Sequence, residues 1–269
     1  MNRIENGFRA GCLLLAILVW GPSGEAWAQE GGPESVEDLV KARLSVDGKS
    51  LDLSGGTLGP EGAAKLATLE SLGKLETLLL QGNKITYRGM KALAKSPYLV
   101  HLKHLDLWGN LLGDLGLKAL VDSPHFKDLV ALKLWKNEIG DDGLALFAES
   151  AQFKNLKILM LNDNLITPEG LAALAQSQNF PALETLNLFR NEVGDGGVEA
   201  LAKAQGFPNL QALYLGQNQI TDAGALALLR SRGFPNLKVL DLVLNRLTEK
   251  TLVEVFQYNK EKGVQVITR

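Results

Sequence analysis

Few side chains in these 269 residues could carry out chemistry. The histidines are His101, His104 and His125, the one cysteine is Cys12, and Asp114, Asp141, Asp195 and Asp222 form a recurring acidic series. A transition-metal site needs three or four converging His, Cys or carboxylate ligands. His101 and His104 are three apart, but they fall where a strand begins, so they need not share a face. No HExxH or spaced His/carboxylate set accompanies them. No GxSxG elbow, Walker loop or GxGxxG turn is present either. The acidic series resembles a Ca²⁺ or acid–base array only superficially. Each member opens a helix, where the macrodipole favours a carboxylate. The expectation is a protein with no metal, no cofactor and no catalytic group, and not an enzyme.

The residues with binding chemistry are aromatic. Trp108 in LDLWGN (Leu105–Asn110) and Trp135 in KLWKN (Lys133–Asn137) hold the same place in two similar phrases. Phe189 holds it again in NLFRN, and Tyr214 falls beside that row. Charged residues accompany them: Asp106 and Lys133 precede the two Trp, while Lys136, Asp163 and Arg190 stand just before an Asn. Trp, Tyr and Arg are the residues that most often dominate protein interfaces.

What positions them is a repeat. Asn occurs at 83, 110, 137, 164, 191, 218 and 245, each 27 after the last. Leu stands three, five and eight residues before every one of them, and Gly recurs at 62, 89, 116, 143, 170, 197 and 224. An eighth, leading copy has Leu51, Leu53 and Leu58 but puts Gly56 in place of Asn. Each unit reads LxxLxLxxNxΦ[T/G], usually an acidic residue, Gly, then an Ala/Leu-rich stretch. LxL alternates with period two and predicts a short strand. The stretch after Gly carries apolar residues at helical spacing, as in Met90, Leu93 and Ala94. Thr or Asp ahead of it suits a helix start. One strand and one helix cannot bury their own apolar side, but stacked copies can. Phe126, Phe153, Phe180, Phe207 and Phe234 also recur at period 27, with Pro after three of them, and read as a packing spine.

This pattern resembles that of leucine-rich repeat proteins of the ribonuclease-inhibitor-like kind, over about residues 51–256. The resemblance implies an α/β fold: a right-handed, curved solenoid of eight 27-residue repeats, with parallel strands on the concave face and helices on the convex face. It also implies that each Asn points inward and bonds the backbone of adjacent turns, and that the concave face binds partners. In LxLxxN the residue between the two Leu and the one after the second point away from the core. Trp108, Trp135, Phe189 and Tyr214 therefore face the concave side, and Trp108 and Trp135 should be ladder neighbours about 4.8 Å apart. These aromatics either anchor a partner or pair across strands as sheet stabilisers.

The ends read as covers. Ser35 and Asp38 suit the start of a helix whose Val36, Leu39, Val40 and Leu44 lie over the first repeat, within a capping segment at 29–50. Thr251 replaces the recurrent Gly in the last unit, and GVQVITR closes the chain as a strand within a cap at 257–269. Residues 1–28 read as a signal peptide. Arg3 and Arg9 precede the apolar run Cys12–Trp20, Pro22 and Gly24 break it, and Ala26-Trp27-Ala28 offers a cleavage site before Gln29. The run is far shorter than the roughly 20 residues that span a bilayer. Cys12 opens the run instead of following it, so it does not fit a lipoprotein cysteine.

Cleavage removes the only cysteine, so the exported chain would have no disulfide, which fits a bacterial periplasmic or secreted protein. The net charge of −2, with 22% charged and 46% hydrophobic residues, suggests a globular chain with neither nucleic acid nor an anionic membrane as partner. The expected function is a non-enzymatic, exported, monomeric scaffold that binds a protein or peptide on its concave face. Lys133, Lys136 and Arg190 against Asp106 and Asp163 would set orientation. The alternative is a glycan-binding module whose aromatic row stacks on sugar rings.

Overall fold

A computed structural model describes residues 35–269. The proposed signal peptide and residues 29–34 of the proposed cap lie outside the described residues. The expected α/β solenoid is what is observed. Nine three-residue strands form one parallel sheet in chain order, each separated from the next by a helical segment. The strands are β1 (Ser50–Asp52), β2 (Thr77–Leu79), β3 (His104–Asp106), β4 (Ala131–Lys133), β5 (Ile158–Met160), β6 (Thr185–Asn187), β7 (Ala212–Tyr214), β8 (Val239–Asp241) and β9 (Gln265–Ile267). The helices are α1 (Val36–Arg43), α2 (Gly59–Leu66), α3 (Tyr87–Ala94), α4 (Gly113–Val121), α5 (Asp141–Glu149), α6 (Pro168–Gln176), α7 (Gly194–Ala202), α8 (Asp222–Leu229) and α9 (Glu249–Lys262). A helix with its side chains is about 10 Å across, whereas strands repeat every ~4.8 Å. The helical layer must therefore splay outward, which leaves the sheet on the inner side of the curve.

Register follows the sequence period. Leu51, Leu78, Leu105, Leu132, Leu159, Leu186, Leu213 and Leu240 stand opposite one another strand by strand, all buried. Truncating any of them to Ala would cost about 2–5 kcal/mol. Phe126, Phe153, Phe180 and Phe207 are also buried, while Phe234 packs on the core from the edge. Phe147, which replaces a helical Leu, joins this column: its ring stacks on Phe153 at 4.5 Å and on Phe180 at 5.3 Å.

The seven Asn act as a hydrogen-bond ladder, buried at all but Asn245. Each donates Nδ2 to the carbonyl of the Leu 30 residues earlier, at 2.8–3.1 Å. The acceptor side varies with the backbone conformation that ends each turn, and after Thr167 Asn191 accepts the Ile166 N–H alone. After the turns ending at Thr86, Gly140 and Thr221, the next Asn accepts two backbone N–H groups: Asn110 from Asn83 and Ile85, Asn164 from Asn137 and Ile139, Asn245 from Asn218 and Ile220. Gly59, Gly113 and Gly194 instead have φ between 52° and 60°, and each donates its own N–H to the next Asn carbonyl. The following side chain is then poorly served, and Asn137 Oδ1 is buried with no donor among the described residues.

The acidic series does more than meet a helix dipole. Asp141, Asp195 and Asp222 each reach forward to the next unit and accept both the backbone N–H and the hydroxyl of Thr167, Thr221 and Thr248. Asp114 accepts the N–H of Gly140 at 2.7 Å. These carboxylates bind neighbouring helix starts together. The recurrent Gly permits the close approach this needs. A Cβ on Gly143 would sit 2.9 Å from Asp114 Cα, and one on Gly197 would sit 3.1 Å from Pro168 Cα.

At the first end, Ser35 Oγ accepts the Asp38 N–H, and Val40 of α1 is buried against the first repeat. At the other end the step from β8 to β9 is 26 residues, not 27. Asn259 Oδ1 takes the outward N–H of Val266, so a side chain from α9 blocks the open edge of the sheet.

Candidate functional site

The open sheet face is built from the two residues per strand that the Leu/Asn rule leaves free. Most are half-buried, in contrast to the buried Leu between them. Trp108 and Trp135, just past β3 and β4, stack with ring centroids 4.6 Å apart and planes inclined by 23°. Their backbones are fixed by the ladder: Gly82 donates to the Trp108 carbonyl at 2.8 Å and Gly109 to that of Trp135 at 3.0 Å. Beside them is an open depression of about 360 Å³, edged by Gln81, Asp106 and Lys133 and floored by Met160, Asn162 and Asn187.

Asp106 corrects an expectation. It was expected as an exposed contact, but its side chain is only 4% exposed. Oδ1 accepts the backbone N–H of Trp108 at 3.1 Å, while Oδ2 accepts Gln81 Nε2 at 2.8 Å and lies 3.2 Å from Lys133 Nζ. It is a positioning residue. Asn187 does the same for Phe189, accepting its N–H at 2.9 Å. An Asp or Asn two residues ahead of an aromatic is a sequence signal for this bond, since short amide and acid side chains cap backbone N–H groups two places on.

The aromatic row also divides. Asn162 holds the place between Trp135 and Phe189 and is itself buried. Phe189 and Tyr214 lie two to three strands from Trp135, about 10–15 Å at strand spacing, and neither edges the depression. Phe189 leans instead toward Gly216, where a Cβ would meet its Cδ2 at 2.6 Å and Val243 Cγ1 at 2.8 Å. The structure thus brings Trp108, Trp135, Lys133 and Asp106 together around one depression.

Lys136, Asp163 and Arg190 lie on the turn that leaves the strands, with φ of 55° to 57°. Such left-handed backbone costs a non-glycine residue about 1–2 kcal/mol. Arg190 Nη1 pairs with Asp163 Oδ1 at 3.2 Å, whereas Lys136 makes no ion pair among the described residues. None of these three residues lines the depression.

Among the described residues no three His, Cys, Asp or Glu lie together as a metal site, and no helix is long and apolar enough to cross a membrane.

Stacked strand–helix units of constant period, an inward Asn ladder and one open sheet face define a leucine-rich repeat solenoid. The chain is a leucine-rich repeat protein: the Leucine Rich repeat family matches at residues 49–67, 74–94, 98–121, 154–175, 181–202 and 208–229. Two solved structures are similar. One is an internalin (InlF) from Listeria monocytogenes, with 20% identity and a TM-score of 0.53, covering 81% of this chain and 60% of that one. The other is an internalin C2 (InlC2) from the same organism, with 22% identity and a TM-score of 0.53, covering 86% of this chain and 83% of that one. The chain thus spans about three fifths of the first structure's length, and at these identities the likeness is one of fold. A search of curated proteins returned no match.

Proposed function

We propose that this chain is an exported, non-enzymatic scaffold that binds a protein or peptide on its concave face, as a single copy. The observation that carries the reading is the stacked Trp108–Trp135 pair beside an open depression. Both side chains stand at positions that repeat stacking leaves free. Half-exposed aromatics backed by a buried acid are costly surface unless something covers them. Lys133 at the edge and Arg190, Lys136 and Asp163 on the turns that leave the strands orient the partner, while Phe189 and Tyr214 give a second, smaller contact. Repeats with an 8–9-residue helix in each unit support the ribonuclease-inhibitor-like class.

A glycan reading has weaker support. Asn187 offers an amide of the kind sugars use, but each indole spends one face on the other, and sugar stacking needs open ring faces. Export rests on the leader pattern of residues 1–28, and the bacterial assignment on the absence of cysteine after it. Its test is the N-terminus of the mature protein, which should begin at Gln29; a protein that keeps Met1 overturns it.

For the binding reading, a photocrosslinking amino acid is placed at Met160, on the floor of the depression, and separately at Ala223, exposed on α8. The reading expects a discrete protein adduct from Met160 and none from Ala223. Equal labelling at both positions, or none at either, contradicts it. Soluble oligosaccharide that abolishes the Met160 adduct would favour the glycan.

A further inference from the structure

The repeat is its own reference, because each position has counterparts 27 residues away. On the helical layer, one unit departs from the others for no reason that stacking supplies. The first-turn position holds Asp114, Asp141, Asp195 or Asp222 in four helices, Pro60 or Pro168 in α2 and α6, and Glu249 in α9, but the aromatic Tyr87 in α3. Tyr87 removes the forward carboxylate bond of its unit and stays 38% exposed. The next position holds Glu61 in α2, Leu115, Asp142, Glu169, Gly196 and Ala223 in α4 to α8, and Lys250 in α9, against Arg88 in α3. Lys91 and Lys95 continue this face at helical spacing, and α3 has no acidic residue in its first turn.

Arg88 lies over the Tyr87 ring at 5.8 Å. Among the described residues none of Arg88, Lys91 and Lys95 makes an ion pair, whereas Lys118 across the groove is held by Asp122 at 2.8 Å. Between α3 and α4 is a groove of about 250 Å³, lined by Tyr87, Ala94, Leu115 and Ala119, by Lys91 and Lys95 from α3, and by the mutually paired Lys118 and Asp122 from the α4 side. Leu115 is 59% exposed there.

We propose that this groove docks an acidic peptide segment of a partner, one large apolar side chain entering between Tyr87 and Leu115 while flanking carboxylates meet Arg88, Lys91 and Lys95. Three cations along one helix face, none in an ion pair among the described residues, repel one another, and complementary charge relieves that. The apolar atoms line a recess. A membrane-seeking surface instead projects them outward, so the shape favours a side chain over a lipid layer. The groove lies on the opposite layer from the Trp pair, so the two readings stand or fall separately.

The test is selection of displayed random peptides on the full chain, followed by rebinding of the selected pool to two variants. The pool should be rich in Asp and Glu around Leu, Phe or Trp. It should bind Lys91→Glu/Lys95→Glu about tenfold or more weaker, a difference of ~1.4 kcal/mol or more. It should bind Trp108→Ala/Trp135→Ala at wild-type strength. Both lysines are on the surface, so the fold survives their reversal, and a circular-dichroism melt checks that. A pool without acidic bias, or one indifferent to the lysine reversal, overturns the proposal. So does binding of phosphatidylglycerol vesicles when no acidic peptide is selected.

Discussion

Asp106 accepts the backbone N–H of Trp108 across one intervening residue, at 3.1 Å, and is itself buried. A carboxylate that is almost wholly buried therefore sets where the aromatic stands. Its second oxygen holds Gln81 and Lys133, so one residue organises three edges of the depression. Asp106→Ala should cost about 1–3 kcal/mol, because Gln81 Nε2 and the Trp108 N–H lose their acceptor. Urea denaturation measures that. Near-ultraviolet circular dichroism should show the coupled Trp signal weakened, while Asp106→Asn, which keeps one acceptor, should retain most of it. An unchanged Trp signal in Asp106→Ala contradicts the positioning role.

The Asn ladder predicts unequal costs at two positions that look identical in sequence. Asn164 Oδ1 holds two backbone N–H groups, while Asn137 Oδ1 holds none. Asn164→Ala should be about 2 kcal/mol more destabilising than Asn137→Ala, since only the first strands buried donors. Equal midpoints in urea would refute this account of the turns.

Two adjacent glycines in α7 should respond with opposite signs. Gly197 faces Pro168 Cα at 3.1 Å from where a Cβ would go, so Gly197→Ala should lose about 1–3 kcal/mol by overpacking. Gly196 is exposed, and its nearest neighbour to an added Cβ is Pro168 Cβ at 3.6 Å. There Gly196→Ala should gain about 0.5–1 kcal/mol from helix propensity. Thermal melts of the two variants decide.

This pair shows what the sequence makes legible. A period of 27 fixes which residues are equivalent, so strands, Leu core, Phe column and Asn ladder could all be placed before any coordinates. Direction within the period is harder. The spacing marked Asp106 as outward, and its Cα does face outward, yet a short acid folds back on its own backbone. The acidic series has the same lesson: helix-start chemistry was visible, but a bond to a residue 26 further on depends on how closely helices stack. The α3 patch was hidden in a different way. Tyr87, Arg88, Lys91 and Lys95 are ordinary helix-surface residues until compared position by position with their counterparts.

Glu76 gives a pH dependence. Lys49 at 2.7 Å and Lys103 at 2.8 Å clamp it from the units on either side. Lys103 first, then Lys49, lowers its pKa from the ordinary 4.5 to about 2. A depressed carboxylate stabilises the fold above its unfolded pKa, and the effect fades as pH falls from about 4.5 toward about 2. Glu76→Gln should therefore be less stable than wild type at pH 7 and match it near pH 2. The side chain is exposed, so the difference is small and shrinks with salt. A Glu76 carboxyl that titrates at its ordinary value by nuclear magnetic resonance contradicts the clamp.

The central claim is that the Trp108–Trp135 pair is a binding anchor and not a sheet stabiliser. The most direct measurement is crosslinking and affinity capture from the cells that make the protein, comparing wild type with Trp108→Ala/Trp135→Ala. Both proteins are first matched for fold by far-ultraviolet circular dichroism. The account predicts a discrete captured protein that the double variant loses, with its affinity down about thirtyfold or more, since paired aromatic anchors of this kind carry ~2 kcal/mol or more. An unchanged captured set from a folded double variant would contradict it, and the pair would then serve only the sheet.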